Sequence, residues 1–459
     1  MINASTFLKY NSSAPRYTSY PPANWFREVS SDFDYSKPVV DSNSTGPELN
    51  SIYFHIPFCP HQCLYCGCNT EINAQANLIR DYFSALELEL FRIIRLLEKR
   101  KPIAQIHFGG GTPNAVPTFY LKNLIDIVKQ NFDFISAAEI AIECDPALIS
   151  ERRLREIKEA GFNRVSFGIQ DFNLDVLKAV ERRASAIPVR ELIKQCHDLG
   201  FSGVNIDLIY GLPLQTLESF SETIREACAC QPDRIALFSY AHIPWVKGFQ
   251  TKLENYPMPD PLTKVELFLL ATDQLQSVGY RRIGMDHFAL AHDELAKALT
   301  QKKLHRNFQG YASQNTTGQV YAFGCSAITQ TEVFYAQNIK DTKSYIKAIR
   351  GGRWPLERYL EVSDEERIIR EAITSLMCNN FLSLIDVAKR TSTSLELVHT
   401  ILESGFDKLR HLPDKDLIEV GDDTLRVTEK GSMIIRYLAM QLDPLMDDSK
   451  NQETYSKTL

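Results

Sequence analysis

Four of the chain's ten cysteines, Cys59, Cys63, Cys66 and Cys68, fall within ten positions, in the stretch "YFHIPFCPHQCLYCGCNT" at 53–70. Thiols this dense serve a disulfide framework, a redox exchange or a soft metal. Ten cysteines in 459 residues are too sparse for a disulfide framework. Structural zinc commonly takes two Cys-x-x-Cys pairs well separated in sequence, whereas the pattern here is Cys-x3-Cys-x2-Cys-x-Cys with no partner pair downstream. A dithiol motif explains "CLYC" at 63–66 but leaves Cys59 idle. An iron–sulfur cluster needs soft thiolates around a compact loop. Three thiolates at this spacing can hold three corners of a [4Fe–4S] cube and leave the fourth iron open to a ligand, and this reading accounts for the spacing best. The remaining cysteines, Cys144, Cys196, Cys228, Cys230, Cys325 and Cys378, are scattered and read as small buried hydrophobes.

A cysteine loop needs a scaffold to present it. From residue 51 to about 245, strand-like runs alternate with helical patterns: "SIYFHIPF" (51–58), "IAQIHFGGG" (103–111), "EIAIECDP" (139–146), "RVSFGIQ" (164–170), "GVNIDLIYGLP" (203–213) and "RIALFSYA" (234–241). Between the first two, Ile79, Tyr82, Phe83, Leu86, Leu90, Ile94 and Leu97 recur at helical steps. Ser150 can cap "ERRLREIKEAG", Gly161 marks its stop, and Pro117 suits a first helical turn. Six such repeats predict an α/β fold with a parallel sheet, a (β/α)6 barrel in preference to an open sheet.

Strands covered by helices on both faces should be almost continuously apolar. Here one alternate face turns polar or small towards the strand ends: Tyr53 and His55, then Ala141, Glu143 and Asp145, then Ser166, Gly168 and Gln170, then Asn205 and Asp207. Polar groups converging at one end of consecutive strands suit a barrel's C-terminal mouth, where barrel active sites lie. The cysteine loop begins one residue past the first of these strands, so it sits in that mouth.

Past about 360 the pattern becomes helical, then gives strand, Gly-Asp-Asp turn, strand and helix in "LIEVGDDTLRVTEKGSMIIRYLAM", a winged-helix-like layout. The expected organisation is an N-terminal segment near the mouth (1–50), a barrel with a substrate-site extension (51–360), a mainly helical winged-helix-like domain (361–445) and a polar tail (446–459). A net charge of −6 argues against binding nucleic acid through phosphates, and the last hundred residues hold no run of lysines and arginines for a recognition face. A winged-helix regulator sensing redox state is therefore disfavoured. With neither a signal layout nor a long apolar window, the expected location is the cytoplasm, away from membranes.

Cys-x3-Cys-x2-Cys with an aromatic before the third cysteine, joined by "GGGTP" at 109–113, resembles the signature of the radical S-adenosylmethionine superfamily. The motifs "PRYTSYP" (15–21), "HIPFC…CLYCGC" (55–68), "FGIQDFN" (167–173), "NIDLIYGLP" (205–213), "IGMDHFA" (283–289), "LHRNFQGY" (304–311) and "SAI" (326–328) narrow it. Together they resemble the oxygen-independent coproporphyrinogen III oxidases, also called coproporphyrinogen dehydrogenases, over nearly the whole chain. That family implies a partial (β/α)6 barrel with an N-terminal segment and a C-terminal helical domain. It also implies one [4Fe–4S] cluster on Cys59, Cys63 and Cys66 and two S-adenosylmethionine molecules.

By the same resemblance, Tyr53, Gly110, Glu143 and Ile328 match positions around the S-adenosylmethionine on the cluster. Tyr65, Gly111, Thr112, Gln170, Arg182, Asp207 and Ala241 match positions around the second. Cys68 matches a cysteine that is implicated in function without being a ligand. Phe308 and Gln309 are expected to line a tetrapyrrole site, and Arg16 and Arg306 to meet carboxylates. The implied reaction is oxidative decarboxylation of two propionates of coproporphyrinogen III to give protoporphyrinogen IX, by a monomer served by an electron donor and a terminal acceptor. A haem-chaperone branch of the family is the rival, but its members typically lack the "PRYTSYP" segment and carry "CDF" where this chain has "CGC".

Overall fold

The structure, a computed structural model, describes residues 4–30, 32–315, 317–448 and 455. All six expected strands form: β1 (Asn50–Ile56), β2 (Ile103–Gly110), β3 (Phe134–Cys144), β4 (Arg164–Gln170), β5 (Gly203–Tyr210) and β6 (Arg234–Ser239). They pair in that order, every pair parallel. A further strand, β7 (Gln319–Phe323), lies parallel to β1 on its outer side. All five of its residues are buried. So short an apolar run carries no period that distinguishes it from a buried helix segment.

The sheet continues antiparallel from both ends. Beyond β7 come Ile328–Gln330, Phe334–Asn338, Leu356–Glu361 and Arg27–Glu28, and beyond β6 come His287–Ala289 and Arg281–Arg282. The two outermost strands do not pair among the described residues, so the barrel is partial.

The helices follow their predicted faces. α1 (Ala76–Leu96) buries Tyr82, Phe83, Leu86, Leu90 and Ile94, a stripe at steps of three and four. α2 (Thr118–Asn131) starts after Pro117, which caps the helix and does not enter its first turn, because its ψ of 130° is extended. α3 (Glu151–Glu159) is capped by Ser150, whose hydroxyl accepts from the Arg153 N–H. Two residues past its end, Gly161 turns the chain with a φ of +106°. α4 (Leu174–Ala179) leads into the turn that carries Arg182.

The C-terminal region holds helices Asp364–Asn379, Leu384–Thr391 and Leu395–Arg410 beside a three-stranded sheet in the order Phe381–Ser383, Thr424–Val427, Ile418–Val420. The Gly-Asp-Asp turn closes where the Gly421 N–H donates to the Thr424 carbonyl, 2.8 Å. The N-terminal segment ties this region to the barrel. Tyr17 and Tyr20 both donate to the buried Asp443 carboxylate, at 2.9 and 3.0 Å, while Arg16 pairs with Asp286 at 2.7 Å. Within the expected tail, Met446 is buried against Ala14 and Met440. Residues 449–454 and 456–459 lie outside the described residues. Among the described residues no helix is long and apolar enough to cross a membrane.

Candidate active site

The loop after β1 turns back on the barrel mouth and is held from three sides. The Gly111 and Thr112 N–H groups donate to the carbonyls of Ile56 and Phe58, at 2.8 and 3.0 Å. From the turn after α4, the Val180 carbonyl accepts from Leu64 at 3.0 Å, and Arg182 reaches Cys63 Sγ at 3.8 Å. From the loop after β6, Lys247 Nζ donates to the Cys68 carbonyl at 2.9 Å. These anchors set Cys59, Cys63, Cys66 and Cys68 around a cavity of about 190 Å³. Tyr65, Gly110, Gly111, Thr112, Glu143, Gln170, Arg182 and Asp207 line the same cavity.

Two glycines are required by close approach. A Cβ on Gly110, whose φ is +115°, would come within 2.6 Å of the His55 ring. On Gly111 it would meet the Pro57 carbonyl oxygen at 2.5 Å and Cys59 Sγ at 3.0 Å. The glycine backbone therefore approaches His55 and the Cys59 thiol with no side chain between them.

The acids of the cavity differ in state. Burial would raise Glu143, but the hydrogen bond and charge of His107 (Nε2 to Oε1, 3.0 Å) and the Gly110 N–H (3.1 Å) hold it below the usual carboxylate range. Although protein surrounds it, 43 % of its side-chain surface remains accessible and it lines the cavity. Burial, then the Glu143 charge, pushes Asp207 up to about 6, against hydrogen bonds from Asn205 (2.8 Å) and Ser166 (3.2 Å). Arg182 is buried between the Gly168 carbonyl (2.5 Å) and Asp145 (3.2 Å). Burial raises the Cys59 thiol to about 11 and also lifts Cys63, so a metal must displace their protons.

Gln170 ends β4 with a φ of +73° beside a register shift between Gly168 and Gln170. Such irregularities re-aim side chains near active sites. Gln170 Oε1 and Arg182 Nε are buried without a hydrogen-bond partner among the described residues. An orphaned acceptor, an orphaned donor and two carboxylates around thiols suit a ligand bearing an amino group, a carboxylate and hydroxyls. No group of three or more Cys, His, Asp or Glu side chains among the described residues closes on a single-ion site. The donor set fits the cluster and its open-iron ligand.

Other expected site residues fall elsewhere. Tyr53 stands behind the cavity wall, its ring stacked on His107 at 5.9 Å, and its hydroxyl shares a hydrogen bond with His55 Nδ1 at 3.2 Å. Gln309 lines an adjoining cavity of about 130 Å³ that shares Glu143, Ser166 and Asp207 with the first. Phe308 and Ile328 pack with Phe26 and Tyr335 in an apolar cluster. Ala241 borders a third, wider cavity. Arg306 donates to the Arg16 carbonyl at 2.7 Å, so it buttresses the N-terminal segment.

Sequence reasoning missed His107, which occupies the inward face of β2 two residues before the glycines, and alternation along that strand could have found it. It also missed Gln250, a buried amide that donates to the carbonyls of Tyr65 (3.3 Å) and Ala241 (3.4 Å). No local period marks that residue.

The fold and this mouth define a class: residues 53–227 match the model of the radical SAM superfamily. Relatives narrow it. The chain is 36% identical to oxygen-independent coproporphyrinogen III oxidase of Escherichia coli (strain K12), over 98% of this chain and 97% of that one. With the protein of that name from Synechocystis sp. (strain ATCC 27184 / PCC 6803 / Kazusa) it shares 35% identity over 100% and 98% of the two chains. The solved structure of coproporphyrinogen III oxidase from Escherichia coli, described as a radical SAM enzyme, superposes with a TM-score of 0.87 at 34% identity, covering 96% of this chain and 98% of that one. The chain belongs to the oxygen-independent coproporphyrinogen III oxidase family.

Proposed function

We propose that this protein decarboxylates coproporphyrinogen III without oxygen, turning two propionate side chains into vinyl groups and releasing protoporphyrinogen IX for haem biosynthesis. The observation that carries this reading is the convergence of three loop thiols with Glu143, Asp207 and Arg182 on one cavity. It occurs in a chain that matches oxidases of that name along its length. When bound, the [4Fe–4S] cluster and S-adenosylmethionine supply a carbon-centred radical able to take a hydrogen atom. A propionate that loses that hydrogen from its β-carbon, then carbon dioxide and one electron to an acceptor, becomes a vinyl group.

The chain's own residues position and enclose. Cys59, Cys63 and Cys66 would hold the cluster, and Cys68, on the same cavity, stays available for proton or hydrogen transfer. Glu143, charged and open to the cavity, suits an amino group, while the Gly110–Gly111 backbone allows close approach. Asp207, Gln170 and Arg182 offer the complementary set for hydroxyls and a carboxylate of a second S-adenosylmethionine. Tyr65 faces the same space, and the Gln250 amide links it to Ala241, which borders the wider cavity beside it. Gln309 borders the adjoining cavity towards the tetrapyrrole, with Phe308 beside it. The same reading places the protein in the cytoplasm as a monomer that meets an electron donor and a terminal acceptor, and gives it no nucleic-acid or membrane partner.

The test is an anaerobic assay of reconstituted protein with coproporphyrinogen III, S-adenosylmethionine and a reductant, its products read by chromatography. Protoporphyrinogen IX is the expected product. Tight haem binding with no decarboxylation would transfer the chain to the haem-carrier reading.

A further inference from the structure

Beside the cysteine cavity lies a chamber of about 910 Å³, and Ala241 alone on its lining has a part in the foregoing chemistry. Its size is within the roughly 300–1,000 Å³ range of small-molecule sites. The Gln250 amide joins its wall, at Ala241, to the thiol loop, at Tyr65. Whatever fills the chamber therefore lies next to the barrel mouth.

Three cations from three distant parts of the sequence border this space: Arg16 from the N-terminal segment, Lys264 from the helix Pro261–Ser277, and Arg436 from the helix Ile435–Met440. One carboxylate on the lining, Asp286, answers Arg16. Lys264 Nζ donates to the Tyr240 carbonyl at 2.6 Å and has no carboxylate within ion-pair distance among the described residues. Arg436 is buried and donates to the carbonyls of Ala14 and Pro15. Withdrawing the Lys264 charge from water costs free energy unless an anion answers it. In a chain of net charge −6 this concentration of cations stands apart. Trp245, on the same lining, is 79% exposed. A large aromatic face left in water at a cavity is what a ring-bearing ligand would cover.

We propose that the chamber receives the body of the tetracarboxylate substrate. Lys264, Arg436 and Arg16 bind the propionates that are not reacting, and Trp245 packs against a pyrrole ring. This rests on the decarboxylase reading. It gives that reading a means of orientation: with the other carboxylates held on the cationic wall, one propionate at a time reaches the cysteine cavity.

The experiment uses the anaerobically reconstituted enzyme and its Lys264→Gln, Lys264→Arg and Trp245→Ala variants. Measured are KM and kcat for coproporphyrinogen III, binding of the unreactive coproporphyrin III and of its tetramethyl ester by the Soret shift, and the affinity for S-adenosylmethionine. Loss of one charge-assisted contact should raise KM about ten-fold in Lys264→Gln, leave kcat and S-adenosylmethionine affinity near wild type, and be partly rescued in Lys264→Arg. The wild-type preference for the free acid over the ester should shrink with it. Trp245→Ala, at an exposed position, should weaken both porphyrins alike and keeps the test readable if the lysine variant fails to fold. Unchanged KM and porphyrin binding in active variants would overturn the chamber's role while the decarboxylase reading stands. Weakened S-adenosylmethionine binding with unchanged porphyrin binding would assign the chamber to the cofactor and also overturn it. A wild-type enzyme that makes no product under these conditions removes the reading beneath it.

Discussion

Two neighbouring spaces at one end of the barrel are built on opposite principles. The cysteine cavity, about 190 Å³, gathers thiols, two carboxylates and glycine backbone from consecutive strand ends. The wider chamber, about 910 Å³, gathers cations from the N-terminal segment, the helix Pro261–Ser277 and the C-terminal region, and the Trp245 ring from the loop after β6. Strand ends come with fixed spacing and direction, so they suit a site that must place a cofactor's reactive atoms closely. Surfaces contributed by separate segments make a roomier enclosure suited to a large anionic ligand. The difference implies separable failures: damage to the first should abolish chemistry, and damage to the second should weaken capture.

The largest effect is expected at the cluster. Cys63→Ala leaves two of the three loop thiols, which cannot retain a cube, so the anaerobically reconstituted variant should lose its iron–sulfur absorbance and all turnover. Full iron and sulfide content in that variant would break the assignment of the cavity. Glu143→Gln comes next. It removes the charge that His107 and the Gly110 N–H hold in place. Affinity for S-adenosylmethionine should fall about 10- to 100-fold, as for the loss of one hydrogen bond to a charged group. Equilibrium binding would check this, and porphyrin binding should be spared. Equal losses in both would show that the two spaces are one site.

Much of the first space was legible in the sequence, because strands repeat every second residue. Glu143, Ser166, Gln170 and Asp207 stand on one alternate face of β3, β4 and β5, and their polarity contradicts a strand buried on both sides. His107 obeys the same alternation on β2 and escaped notice because the glycines after it dominated that strand. The chamber was not legible. Lys264 sits on a helix and Arg436 in another region, and only tertiary packing brings them within reach of Arg16, several hundred residues away in sequence. Arg306 shows the limit from the other side. Its motif suggested a substrate contact, yet it donates to the backbone of the arginine that borders the chamber.

Cys68→Ser sharpens the comparison inside the first cavity. Cys59, Cys63 and Cys66 already supply the protein's share of the cluster, so the variant should keep its iron and spectrum. If Cys68 donates a proton or hydrogen, turnover should still fall while S-adenosylmethionine binding holds. A variant that loses iron as readily as Cys66→Ala would make Cys68 a ligand.

The smallest expected effect is a pH dependence confined to the second space. Burial first, and then the charge of Arg16, lowers Lys264 from the ordinary 10.5 to about 8. Arg16, Arg436, Asp286, His242, Tyr210 and Tyr240 border the same chamber. The charged lysine is the form that attracts a carboxylate, and it predominates below about 8. Capture should therefore weaken as pH rises through that value, so kcat/KM for coproporphyrinogen III should fall by no more than the roughly ten-fold expected of Lys264→Gln. Stability runs the other way. Between about 8 and 10.5 the folded lysine binds fewer protons than the unfolded one, so this group's contribution to stability rises with pH. Weaker capture across this titration therefore cannot be ascribed to this lysine's own effect on stability. In Lys264→Gln the alkaline limb of kcat/KM should flatten while any limb belonging to S-adenosylmethionine binding persists. An alkaline limb of the same size in that variant would assign the titration to another group and leave the chamber's lysine without a part in substrate capture.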